Sequence, residues 1–274
     1  MFTSLNKIKK QKPLVHCLIG GISSNYVANM LLAIGARPIM AEHPLEVEEV
    51  TEKAAALLIN IGNIVDNRIK SIFIAGKTAS KHNIPIIFDP VGAACNSFRY
   101  KLSMEIIQQI KPTIIKGNMS EIKALAHINT SCTGIDVCSQ DITTSDSIVE
   151  NCNILINLAK KLKCVVVSTG ALDIVADSTQ VFVLNNGSSL LSNITGTGCT
   201  SGALIAAYTS TSLPLNASIE GLTHLNIAGE YAEKDCTKTD MGIGSFNVKL
   251  LDHIGNIKTE NLIAGGKIKC IHSI

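Results

Sequence analysis

The stretch Asn193-Ile194-Thr195-Gly196-Thr197-Gly198-Cys199 joins two glycines to a thiol, ahead of a helical run over 200–210. Glycines 196 and 198 let backbone N–H groups turn inward. The positive end of the following helix adds to them, which makes an anion hole suited to a transferring phosphoryl group. Read by itself, such a turn is more often only a tight connection. A thiol titrates at about 8.5 when unperturbed and lower at a helix N-terminus, so Cys199 is expected to be partly thiolate near neutrality, as base or as nucleophile. The bland alternative is a small residue that packs where the helix begins.

Three more junctions between a strand and the next element carry polar groups. In Ile115-Lys116-Gly117-Asn118-Met119-Ser120-Glu121, Asn118 and Glu121 are three apart and share one face of a first helical turn. There they can hold a hydrated Mg²⁺, which prefers oxygen ligands and keeps several waters. The same pair also reads as a capping box, and the two roles are compatible. Asp89, in Phe88-Asp89-Pro90-Val91-Gly92, is a turn former or an anchor for a water of that metal. Thr169-Gly170 follows the strand over 164–168. The seven histidines form no ligand cluster, and His16 reads as a satisfied core histidine.

Positioning these groups requires strands that end together. Near-continuous apolar runs predict strands over 14–17, 37–40, 56–61, 84–88, 113–116, 164–168, 173–176 and 180–184, buried on both faces. A helix over 25–34 presents Val27, Met30, Leu31 and Ile34 on one face and stops at Gly35. Another starts at Pro44, with Glu46, Glu48 and Glu49 in its first turn. A helical pair over 200–210 and 216–234 closes the second half. The alternation predicts an α/β fold, a doubly wound, mostly parallel sheet with helices on both faces, whose ligands lie at the carboxyl ends of the strands. The polar segment 129–146 reads as a surface excursion within one domain spanning 1–274.

With 274 residues, 46% of them hydrophobic, the chain is long enough for one large core. A formal net charge of +2 gives no field that would draw it onto nucleic acid, so the expected partner is a small molecule. The nine cysteines include no zinc or C-x-x-C spacing and sit beside apolar residues, which suits core packing in a reducing compartment. No run has the length of a signal peptide or a membrane span, which predicts a cytoplasmic protein with no membrane partner.

The blocks VHCLIGGISSNYVANMLLAIGARPIM (15–40), LINIG (58–62), DPVG (89–92), IIKGNMSEI (114–122), GID (134–136), STGALDIVAD (168–177), NGSSLLSNITGTGC (186–199) and GIGSF (242–246) resemble, in order, those of the hydroxyethylthiazole kinase family. That family belongs to the ribokinase-like superfamily. The resemblance implies transfer of the ATP γ-phosphoryl group to the primary alcohol of 4-methyl-5-(2-hydroxyethyl)thiazole in thiamin salvage. It also implies Mg²⁺ and a homotrimer with active sites between subunits. It places Met40 and Gly196 at the thiazole, Lys116 and Thr169 at ATP beside the Gly198 turn, and Asn118 and Glu121, with Asp89, at the metal. Cys199 stands where related sugar and pyrimidine kinases carry an aspartate base.

Three departures accompany it. Lys116 stands where many members have arginine, Ile19-Gly20 replaces the usual Thr-Asn, and Ala94-Cys95-Asn96 replaces Gly-Ala-Thr. The alternatives on this fold are a hydroxymethylpyrimidine or pyridoxal kinase, an NAD(P)H-hydrate dehydratase, or a ligand-binding protein without turnover. The blocks before residue 62 weigh against the dehydratase, and Cys199 against the other kinases.

Overall fold

The computed structural model describes residues 2–128, 138, 141–144 and 146–273. Among the described residues the strands are β1 Leu14–Leu18, β2 Arg37–Ile39, β3 Ala56–Asn60, β4 Ile86–Asp89, β5 Ile114–Asn118, β6 Val165–Thr169, β7 Asp173–Ala176, β8 Gln180–Leu184 and β9 Ile268–Ser273. They form one sheet in the order β2-β1-β3-β4-β5-β6-β7-β8-β9. From β2 through β6 every pairing is parallel, and β7, β8 and β9 add an antiparallel flank.

Each central strand feeds two cores, which is why its sequence shows no polar alternation. In β3, Ala56 and Leu58 face one core while Leu57 and Ile59 face the other. The first core is covered by α1 Ser4–Gln11, α2 Gly21–Ala33, α8 Thr197–Thr209, α9 Pro214–Thr239, α10 Ile243–Asn256 and α11 Thr259–Gly265. The second is covered chiefly by α4 Asp66–Lys81, α5 Ser97–Ile110, α6 Met119–Leu125 and α7 Ile148–Leu162, with short α3 Val47–Glu52 beside α4. The expected doubly wound, mostly parallel arrangement is therefore present. No helix among the described residues is long and apolar enough to cross a membrane.

The differences from the sequence reading have local causes. Strands β4, β5 and β6 each run one or two residues further than expected, because polar residues at their ends stay paired in the sheet, and β1 runs one further to the apolar Leu18. Asn60 is in register with Asp89, and Asn118 with Thr169. Pro44 opens a turn, closed by Val47 N–H donating to His43 O (3.2 Å), and α3 starts only at Val47, with Glu48 and Glu49 in its first turn. α8 begins three residues earlier than expected, so Cys199 lies inside its first turn. Helices α1, α10 and α11 and strand β9 are further elements that the sequence reading did not include, although α10 carries Phe246, Leu250 and Ile254 at four-residue spacing on its buried face. Most of the 129–146 excursion lies outside the described residues. Asp141 in it accepts hydrogen bonds from Ser120 Oγ and Lys123 Nζ, both 2.7 Å, and so ties the segment to α6.

α8 is enclosed almost all round, with Ala203 to Tyr208 buried. Its close approach to α9 depends on Gly221, where a Cβ would lie 2.9 Å from Ile205 N and 3.0 Å from Ile205 Cα. Gly221→Ala therefore pushes α9 away from the helix that carries Cys199. The expected loss is about 1–3 kcal/mol of unfolding free energy, read from chemical denaturation.

Candidate active site

The polar residues that end the parallel strands meet beneath the first turn of α8. Asn60 ends β3, Asp89 ends β4, Lys116 and Asn118 lie in the last turns of β5, and Thr169 ends β6. Gly196 caps α8 with a φ of 96°, a left-handed conformation that favours glycine. A helix N-terminus opened by such a turn can accommodate an anion.

Lys116 joins the sheet to this turn. Its buried Nζ donates to Gly198 O (2.8 Å) and to Asp89 Oδ2 (3.3 Å). Asn60 Nδ2 donates to the same Asp89 oxygen (3.0 Å) and to Cys199 Sγ (3.3 Å), while Asn60 Oδ1 accepts from Gly62 N–H (2.9 Å). Ser23, on α2, also hydrogen-bonds the thiol. The sulfur thus has polar neighbours from two elements, β3 and α2.

Glu121 is buried, and its carboxylate is held twice, by Gly92 N–H at Oε1 and Asn118 N–H at Oε2, both 2.7 Å. Glu121 N–H donates back to Asn118 Oδ1 (2.9 Å), which completes the expected capping box. Burial pushes the Glu121 carboxyl up to about 7, and the charge of Asp89 adds to this. Burial also raises Asp89, against the pull of Lys116 and Asn60. Burial draws Lys116 downward, but the attraction of Asp89, Glu121 and Cys199 outweighs it and keeps the ammonium protonated.

The expectation of a lowered thiol pKa at Cys199 is corrected. Burial raises it and the neighbouring Asp89 charge raises it further, while Ser23, Lys116 and Asn60 offset only part of this. A helix terminus acts on a group near the aqueous surface, and here desolvation dominates.

The outer residues are less tightly joined. Thr169 Oγ1 donates to Gly117 O (3.3 Å). In the turn that follows, Gly170 N–H is held by Asp173 Oδ1 (2.9 Å), and Asp173 Oδ2 accepts from Asn226 (2.7 Å). Met40 follows the edge strand β2, half-buried against the α2/α8 core, without a hydrogen-bonded link to the central cluster. The loop after it is anchored by buried His16, which bonds Ala41 O at 2.8 Å; His16 is the core histidine expected from the sequence.

Two departures acquire a structural meaning. At Gly20, a Cβ would lie 2.5 Å from Asn63 Oδ1 and 2.8 Å from Asn63 Cβ, so the amide of residue 63 stands where a side chain at 20 would otherwise be. Asn96 caps α5, its Oδ1 accepting from Arg99 N–H (2.9 Å), as a threonine there would also do. Asn60, Ser23, Asp173 and Arg99 were not singled out by sequence reasoning. Asn60 had a signal, a polar residue closing the run Leu57-Leu58-Ile59.

The donor set suits a hydrated Mg²⁺ better than a caged one. No group of three or more His, Cys, Asp or Glu among the described residues is arranged to enclose a metal. Two buried carboxylates face one ammonium, and each Glu121 oxygen accepts one N–H and keeps a second lone pair. An added cation with its own waters relieves that imbalance.

A mostly parallel sheet of this order, with a glycine turn opening a helix over its strand ends, is a ribokinase-like fold. A ribokinase-like superfamily protein from Enterococcus faecalis shares the fold at a TM-score of 0.61 and 14% identity, covering 90% of this chain and 88% of its own. A hydroxyethylthiazole kinase protein from Pyrococcus horikoshii superposes at a TM-score of 0.87 with 32% identity over 99% of this chain and 98% of its own. Hydroxyethylthiazole kinase 2 from Clostridium botulinum is 42% identical over 256 residues, 93% of this chain and 95% of that protein. The model of the hydroxyethylthiazole kinase family matches residues 5–260, and the chain belongs to that family of phosphotransferases.

The raised Glu121 carboxyl has a pH signature. It keeps its proton up to about 7 in the fold, against 4.5 for an ordinary glutamate. The native state therefore binds more protons than the unfolded chain between those values. The stabilisation is complete below about 4.5 and is lost as the pH rises through about 7. In the ligand-free protein, melting temperatures measured from pH 5 to 8 should fall more steeply for wild type than for Glu121→Gln.

Proposed function

We propose that this chain transfers the γ-phosphoryl group of ATP to the primary alcohol of 4-methyl-5-(2-hydroxyethyl)thiazole, in the cytoplasm and in the service of thiamin salvage. The observation that carries this reading is Cys199 Sγ at the mouth of the glycine turn, bonded by Asn60 and backed by the Lys116–Asp89 pair. It is supported by membership of the family.

In the proposed reaction the acceptor hydroxyl lies between Cys199 and the γ-phosphorus. Its oxygen bonds to phosphorus as the bond to the β-bridging oxygen breaks, and ADP leaves. Because the transition state is loose, the hydroxyl proton departs late and needs only a nearby acceptor. That acceptor is Cys199 in its thiolate form, which burial and Asp89 disfavour in the ligand-free site and Lys116, Asn60 and Ser23 partly support, so the thiol loses its own proton to solvent when the loaded site changes the charge balance. Direct transfer requires no phospho-cysteine.

The N–H groups around Gly196 and Gly198 receive the transferring group, and Lys116 fixes that turn through Gly198 O. Thr169 and the Asp173-held Gly170 flank the nucleotide, and Met40 and Gly196 border the thiazole. Asp89, Asn118 and Glu121 hold the waters of magnesium, which enters with ATP and, when bound, neutralises phosphate charge. The acting unit is a homotrimer. Ile22 is 69% exposed one residue from Ser23, so a second copy seated on it also closes the site, and light scattering should return a trimer mass.

The test is a panel of vitamin-precursor alcohols incubated with MgATP and read by product mass. Phosphorylated thiazole is expected, whereas phosphorylated pyrimidine or pyridoxal without it would overturn the substrate. Cys199→Ala should lose on the order of 10²- to 10⁴-fold in kcat with ATP affinity nearly unchanged, and Cys199→Asp should recover part of the loss. Full activity in Cys199→Ala would leave the thiol only a packing role. A trapped phospho-enzyme would instead make it a nucleophile.

A further inference from the structure

Arg99, in the first turn of α5, binds no substrate in the reading above and pairs with no carboxylate among the described residues. Three of its five N–H donors are nevertheless committed. Nη1 donates to Ile61 O and to Val91 O, both 2.7 Å, and Nη2 donates to Gly62 O at 2.6 Å. Three carbonyls from two loops, one after β3 and one after β4, converge on a single side chain.

The carbonyls of Ile61 and Val91 belong to the peptide groups whose N–H groups are those of Gly62 and Gly92. Gly62 N–H donates to Asn60 Oδ1 (2.9 Å), and Gly92 N–H donates to Glu121 Oε1 (2.7 Å). No cis peptide occurs among the described residues. In a trans peptide the C=O and N–H point in opposite directions within one plane. Fixing each oxygen on Arg99 therefore aims each N–H at a residue of the site. Hydrogen bonding to the oxygen also polarises the peptide and strengthens the N–H as a donor.

We propose that Arg99 is a positioning residue of the kinase reaction, acting through the 61–62 and 91–92 peptide planes to set Asn60 beside Cys199 and Glu121 beside Asn118. The first plane governs the thiol, since Asn60 Nδ2 reaches Sγ only with its amide held by Gly62. The second governs the carboxylate that caps α6. A planar fork with several donors can serve the converging carbonyls at once, and a lysine ammonium on a flexible stem cannot reproduce it. Gly92 has a φ of 74°, a left-handed conformation, so this plane also depends on a residue without a side chain.

This inference rests on the kinase reading for its catalytic arm, and the test separates the two. Arg99→Lys is compared with wild type by turnover and by the ¹⁵N-glycine amide resonances of Gly62 and Gly92, which need no substrate. The expected result is a fall in kcat on the order of 10²-fold with little change in the KM for ATP. Upfield movement and faster hydrogen exchange of both amides should accompany it.

A lower melting temperature with kcat and both amides unchanged would make Arg99 a structural staple and overturn the proposal. If wild type phosphorylates no alcohol, the functional reading fails while the amide resonances still decide the role of Arg99. Should Arg99→Lys not fold, Arg99→Ala with added methylguanidinium replaces it. Saturable recovery of the two amide signals supports the proposal, and absence of recovery counts against it.

Discussion

Much of this site depends on one buried contact, the Lys116 ammonium held between Asp89 Oδ2 and Gly198 O. An unpaired buried charge is costly, so Lys116 and Asp89 constrain each other's place at the ends of β5 and β4. The bond to Gly198 transmits that constraint to α8, whose first turn carries Cys199. Sheet and helix are thus joined where the phosphoryl group is proposed to pass. Lysine here keeps the charge of an arginine but gives up a planar fork, and two of the ammonium's three donors are used.

The charge count around this contact gives a reason for a thiol at position 199. Asp89 and Glu121 already present two carboxylates to one ammonium, and each titrates above its ordinary range. An aspartate at 199 would add a third negative charge to the same enclosed space. A thiol there rests neutral, as the raised pKa of Cys199 reflects.

The sequence was most informative about the sheet and the glycine turn, where apolar runs and turn residues follow simple periodicities. It was least informative at the strand ends. Asn60, Asp89, Asn118 and Thr169 interrupt the apolar pattern yet remain paired in the sheet. An apolar-run criterion stops just short of Asp89, Asn118 and Thr169 and runs one residue past Asn60, so it misplaces each of these strand ends. Arg99 was invisible for another reason: it acts on main-chain carbonyls, which carry no sequence label, in loops 8 and 37 or 38 positions away. The sign of the Cys199 shift likewise depended on how deeply the first turn of α8 is enclosed, which spacing does not reveal.

The enclosure of Cys199 also bears on chemical durability. Peroxide and disulfides react with thiolates, and a thiol held in its protonated form by burial and a nearby carboxylate presents little thiolate to attack. A surface cysteine activated by a helix terminus would be a better resting nucleophile and a readier target for sulfenic acid formation. A sulfur kept neutral in the ligand-free site offers less thiolate to peroxide than such a surface cysteine would.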